Sequence, residues 1–141
     1  MKEEEFKIKY QEASDPMHQK VEDLVRKSGQ DFHVYYSAYE STPEGIPIDN
    51  LDEVPIKGKI KVVEQGSDFF GSGKGYRSKV LDSPTWLELC VVANEMIIAT
   101  GDLHHIYLEA VMVSTSRDSK QALTLIDGKD EIKITRLIMG S

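Results

Sequence analysis

The chain has a single cysteine, Cys90. An internal disulfide is therefore excluded, and so is a zinc site built from cysteines alone. Long apolar runs are also missing. The most apolar stretch, Trp86 to Ala99, is about 14 residues long and is broken by Glu88, Asn94 and Glu95. A membrane-spanning helix needs about 20 largely apolar residues, so no membrane partner is expected. The first ten residues hold no apolar stretch of signal-peptide length, which leads to the expectation of a cytoplasmic protein. There is no basic excess: Lys and Arg number 17 against 24 Asp and Glu, giving a formal net charge of −7. Neutralising phosphates takes clustered cations, so nucleic acid is not an expected partner. Lys57, Lys59 and Lys61 form the one local basic row and read as the solvated outer face of a strand.

What remains is a globular balance, 40% apolar and 29% charged over 141 residues. That length suits one domain able to hold a core without staples. Phe6, Ile8 and Tyr10 alternate with polar residues and predict a strand. Ser14-Asp15-Pro16 reads as a helix start, with Met17, Val21, Leu24 and Val25 on one face and Gly29 as the stop. A strand over Phe32–Ala38 follows, then a Pro- and Gly-containing loop, then a strand over Ile56–Glu64. A Gly/Ser-rich connection spans Gln65–Gly75, and a short strand is predicted at Arg77–Leu81. Asp82-Ser83-Pro84 repeats the helix-start pattern. The helix that follows is expected to run to about Thr100 and stop at Gly101; it is apolar around most of its circumference, the pattern of a helix covered on more than one side. Predicted strands over His104–Ser114, Ala122–Ile126 and Ile132–Ile138 close the chain, with turns at Ser116–Ser119 and at Asp127-Gly128.

The two halves share punctuation. At an offset of 72 residues without a gap, Gly29 meets Gly101, His33 meets His105, Tyr35 meets Tyr107, Ala38 meets Ala110 and Ile60 meets Ile132. This predicts an α+β fold of two similar β-α-β-β(-β) units, about residues 1–70 and 73–141. They would form one pseudo-two-fold domain over residues 1–141, with an antiparallel sheet covered by two helices.

The same offset singles out one constellation. Along a strand His105, Tyr107 and Glu109 share a face, while His104, Ile106, Leu108, Ala110 and Met112 share the apolar one. Placing His33 and Tyr35 at the equivalent positions gives a candidate ligand cleft of His33, Tyr35, His105, Tyr107 and Glu109. Imidazole and phenol groups suit acid–base work or hydrogen bonding to a small molecule. His33, His105 and Glu109 are also a conceivable donor set for zinc or iron. The loop Gly66–Gly75 does not match a phosphate-binding signature, because Asp68 and Gly75 stand where that pattern needs Gly and Ser or Thr. It reads as a linker that carries Phe69 and Phe70. Cys90, inside the apolar helix, reads as a buried, inert thiol.

Three functional readings follow. The first is a non-enzymatic interaction or self-association module, a homo-oligomer or the docking domain for another protein, suggested by the apolar second helix. The second is a small-molecule-binding protein or enzyme using the His/Tyr/Glu cleft between the units. The third is a His/Glu metal-binding protein.

Overall fold

The computed structural model describes residues 2–66, 69–113, 124–127 and 130–141. The turns expected at Ser116–Ser119 and at Gly128 lie outside them. The chain opens with helix α1, Glu3–Lys27, which corrects the predicted Phe6–Tyr10 strand and the helix start at Ser14. The winning period is 3.6, not 2: Phe6, Tyr10, Ser14, Met17, Val21 and Val25 fall along one stripe, and its last four members are buried. Pro16 lies inside the helix and removes one backbone donor. Both Pro16 and Glu12, whose carbonyl loses that donor, are exposed, so water can satisfy the freed group. Glu3–Lys7, Glu5–Lys9 and Glu22–Arg26 pair at i,i+4, and acidic residues fill the first turn while Arg26 and Lys27 fill the last. Gly29, at φ 86°, follows the capping residue Ser28.

The main sheet holds β1 (Tyr35–Tyr36), β4 (Lys59–Glu64), β5 (Tyr76–Asp82), β6 (Tyr107–Val113) and β8 (Asp130–Gly140) in the order β1-β6-β8-β4-β5. A further strand, β7 (Thr124–Asp127), lies beside β8. β2 (Glu40–Ser41) and β3 (Pro47–Ile48) form a separate small pair. The sheet is mixed, not antiparallel as expected: β1 runs parallel to β6, and β4 parallel to β8. Tyr35 stands opposite Tyr107 in the first of these ladders. The strand expected over Phe32–Ala38 shortens to two residues, an edge that among the described residues is tied to β6 alone.

The second helix, α2 (Trp86–Thr100), follows the predicted span closely. Its cap is Thr85, not the Ser83-Pro84 pair: the Thr85 side chain accepts from the Glu88 N–H, and the Glu88 carboxylate accepts from the Thr85 N–H. Gly101 ends it in the left-handed region, at φ 71°. Met17, Val21 and Val25 of α1, Leu89, Cys90, Ala93, Met96 and Ile97 of α2, and Ile60, Val62, Leu108 and Leu137 of the sheet make one core. The near-uniform apolarity of α2 is thus largely used within the chain, where it packs against α1 and β5. Asn94 is fully buried on this helix. Its Oδ1 accepts from the His33 and Val34 N–H groups at 2.7 and 2.9 Å, and its Nδ2 donates to Gln30 Oε1 and the Asp31 carbonyl. One side chain therefore satisfies the backbone that leads into β1, where an unpaired buried N–H would cost about 1–3 kcal/mol.

Candidate functional site

A cavity of about 300 Å³ opens where the sheet forks. The pairing of β4 with β8 covers only Ile60–Val62 against Lys133–Thr135. Past that point β4 ends at Glu64, while β8 continues to Gly140 along β6. The carboxyl ends of two parallel strands thus diverge, and a crevice is left between them; open sheets of parallel strands place ligands at crevices of this kind. Met96, Ile97 and Thr100 of α2 and Leu137 to Met139 of β8 supply much of its wall. Phe70 comes from the Gly-rich connection, which is stitched to the end of α2: the Ser72 N–H and hydroxyl both donate to the Thr100 carbonyl, at 2.8 and 3.1 Å.

Two ionisable pairs line the space. Asp102 follows the αL glycine, and each of its oxygens is engaged. Oδ1 accepts from the His104 N–H at 3.0 Å, and Oδ2 lies 2.8 Å from His105 Nδ1. An ionised carboxylate only accepts, so Nδ1 carries the hydrogen and Nε2 is the acceptor of a neutral His105 ring. Phe70 stands edge-on to this imidazole, with centroids 4.8 Å apart and an interplanar angle of 88°. Across the crevice Arg136 Nε lies 3.5 Å from Glu64 Oε2, too long for a strong hydrogen bond. An imidazole held by a carboxylate can take a proton through its second nitrogen, so the arrangement has the parts of a general base as well as of a binding site.

Of the five residues singled out from the sequence, the cavity includes His105 alone. Tyr35 and Tyr107 do come together, with ring centroids 5.1 Å apart, but their stack continues onto His18 of α1 at 4.3 Å from Tyr35. His33 is placed by its backbone hydrogen bond to Asn94. Glu109 sits at a β-bulge between Leu108 and Ala110, where its carboxylate covers Gly140. That bulge also corrects the expected faces. It breaks the alternation, so Val111 packs on the core while Met112 is 42% exposed. His104, expected beside the core, is exposed and lies against Phe70. No group of three or more His, Cys, Asp or Glu side chains able to hold a metal ion occurs among the described residues.

Sequence reasoning missed Asp102, Glu64 and Arg136. A signal for two of them was present: Glu64 and Arg136 are opposite charges separated by the same offset of 72 that relates Tyr35 to Tyr107. Elsewhere the buried phenols and thiol are chemically quiet. Burial raises the Tyr36 phenol, whose hydroxyl donates to Asn50 Oδ1 at 2.5 Å, and burial raises the Cys90 thiol. Burial, followed by the Glu95 carboxylate, raises the Tyr76 phenol. No protein-family model, no curated protein and no solved structure matches the chain.

Proposed function

We propose that this protein binds a small organic molecule in the crevice between the ends of β4 and β8. The observation that carries this reading is the composition of that one cavity: an apolar lining of Phe70, Met96, Ile97 and Met139, together with two charged pairs, Asp102–His105 and Glu64–Arg136. A concave space that combines an apolar wall with convergent polar groups is a usual form of a ligand site, and here polar and apolar residues share the lining about equally. The apolar second helix, which pointed toward an interaction module, has cover from its own chain and so does not by itself call for a partner. We also propose that the chain descends from two similar units. The parallel register of Tyr35 with Tyr107 supports this, and the crevice then lies between two strands that carry Glu64 and Arg136 at the same offset, Glu64 at the end of β4 and Arg136 within β8.

The test is a fragment screen read by methyl NMR. Met96 and Met139 line the cavity, whereas Met17 lies in the core and Met112 on the surface. Ligands are expected to shift the Met96 and Met139 methyls and the His105 ring, and to leave Met112 unmoved. Gln65→Trp, at an exposed position on the rim, should abolish these shifts without unfolding the protein. Fragments that bind without moving the two cavity methyls, or that ignore the Gln65→Trp block, would overturn the reading.

A further inference from the structure

We infer that the ligand of this crevice is an organic cation, a protonated amine carried on a compact apolar body. The inference rests on the small-molecule reading above and deepens it. Counted with His105 neutral, the lining holds two carboxylates, Glu64 and Asp102, against one guanidinium, Arg136. The end of α2 adds to the negative side. Met96, Ile97 and Thr100 bring the carbonyl end of the helix to the cavity; the Thr100 hydroxyl, the Gly101 N–H and Ser72 already donate to their carbonyls, so what is left is a weak partial negative charge, which no basic residue in the last turn offsets. The hydrogen-bonding inventory has the same sign. Asp102 occupies His105 Nδ1, so the neutral ring offers an acceptor at Nε2. Glu64 is held by Arg136 only through a 3.5 Å contact, and the Arg136 side chain is 55% exposed. That cation can swing into water and leave the Glu64 carboxylate to an incoming ammonium group.

The apolar part of the ligand is set by the rest of the lining. Phe70 brings an aromatic ring to the cavity lining, a surface on which an organic cation or an aromatic body can pack. Met96 and Met139 supply polarizable sulfurs that suit an aromatic or branched aliphatic body. An anion would meet the reverse of each feature: two carboxylates, a helix carbonyl end and an acceptor nitrogen, with one exposed arginine in its favour.

The experiment compares three ligands of similar shape, 2-phenylethylamine, 2-phenylethanol and 3-phenylpropionate, titrated into the whole protein at about 150 mM salt near neutral pH, where only the charges around the crevice still act, and read on the Met96 and Met139 methyls. The amine should bind up to about fivefold tighter than the alcohol, the most expected for one partly exposed charge pair, and the carboxylate should bind weakest. Glu64→Gln should erase the amine's advantage and leave the alcohol unchanged, and Arg136→Gln should strengthen the amine. A carboxylate that binds as well as the amine, or an amine unaffected by Glu64→Gln, would overturn the cation assignment and leave the small-molecule reading standing. If none of the three moves the cavity methyls, both fall.

Discussion

At the scale of single residues, much of what matters is held by partners far away in sequence. Asn94 stood out as a polar interruption of an apolar helix, but its four partners lie about 60 residues earlier, and no local pattern points to them. His18 is a sharper case. No motif or periodicity in the sequence marks it. In the fold its ring stacks on Tyr35, and its Nε2 is buried with no hydrogen-bond partner among the described residues. Burial lowers its pKa, opposed in part by Asp15. The protonated form is thus disfavoured in the folded state relative to the unfolded one. Stability from this site is fully present above the unfolded-state value, near 6.5. It is lost as pH falls from there through the lower folded-state value, because the unfolded chain binds the proton first. Urea midpoints of the wild type should therefore drop between about pH 7.5 and pH 5 by more than those of His18→Phe, which keeps the stack and removes the titrating group. Equal drops in the two proteins would show that His18 is not the source.

At the scale of elements, the sequence revealed more where one period dominated. The span of α2, the inward Ile60 and Val62 of β4, and the stop at Gly101 all follow from apolar pattern and punctuation. The errors came where two periods competed. Phe6, Ile8 and Tyr10 fit a strand over five residues and a helix over twenty, and Ile8 is the member left 58% exposed. In β6 one bulged residue reversed the faces beyond Glu109. Strand alternation carries no mark of such an insertion, so the faces expected from Glu109 onward failed; His33 and the Tyr35–Tyr107 pair belong to the β1 edge, and only His105 of the five reached the cavity. The Gly-rich connection was legible as a linker, but its seam with α2 was not. That seam sets a contrast between two glycines. A Cβ at Gly71 would press on the Thr100 carbonyl oxygen, a fixed backbone atom at the cavity wall. A Cβ at Gly140 would press on the Glu109 carboxylate, the far end of an exposed and flexible side chain. Gly71→Ala should therefore break the Ser72–Thr100 hydrogen bonds and raise amide exchange at Ser72 by about tenfold or more, in line with a loss of roughly 1.4 kcal/mol of local stability. Gly140→Ala should stay within about 0.5 kcal/mol of the wild type in urea unfolding, as surface changes do. If Gly71→Ala leaves Ser72 as protected as before, the connection is not anchored where the geometry puts it.

At the scale of the whole molecule, the charge of −7 takes on a role that composition alone could not give it. A chain of this length has a radius of gyration of about 14 Å. In about 10 mM salt the screening length is about 30 Å, longer than that radius, so a cation nearing the crevice feels the net charge of the entire protein. In about 150 mM salt the length falls to about 8 Å, and only the groups around the crevice still act, chiefly Glu64, Asp102 and Arg136. The amine's affinity should accordingly fall in two separable parts. The long-range part disappears between these two ionic strengths and should persist in Glu64→Gln, because that variant removes one charge from a surplus of seven. The short-range part remains at the higher salt and should vanish in Glu64→Gln. The neutral alcohol has no charge to be steered, so its affinity should be flat across the same range. Isothermal titration of both ligands at the two salt concentrations, in wild type and variant, separates the contributions. An alcohol as salt-sensitive as the amine would mean that salt acts on the fold of the crevice and not on the ligand's charge. An amine indifferent to salt would mean that the acidic surface and the site act independently.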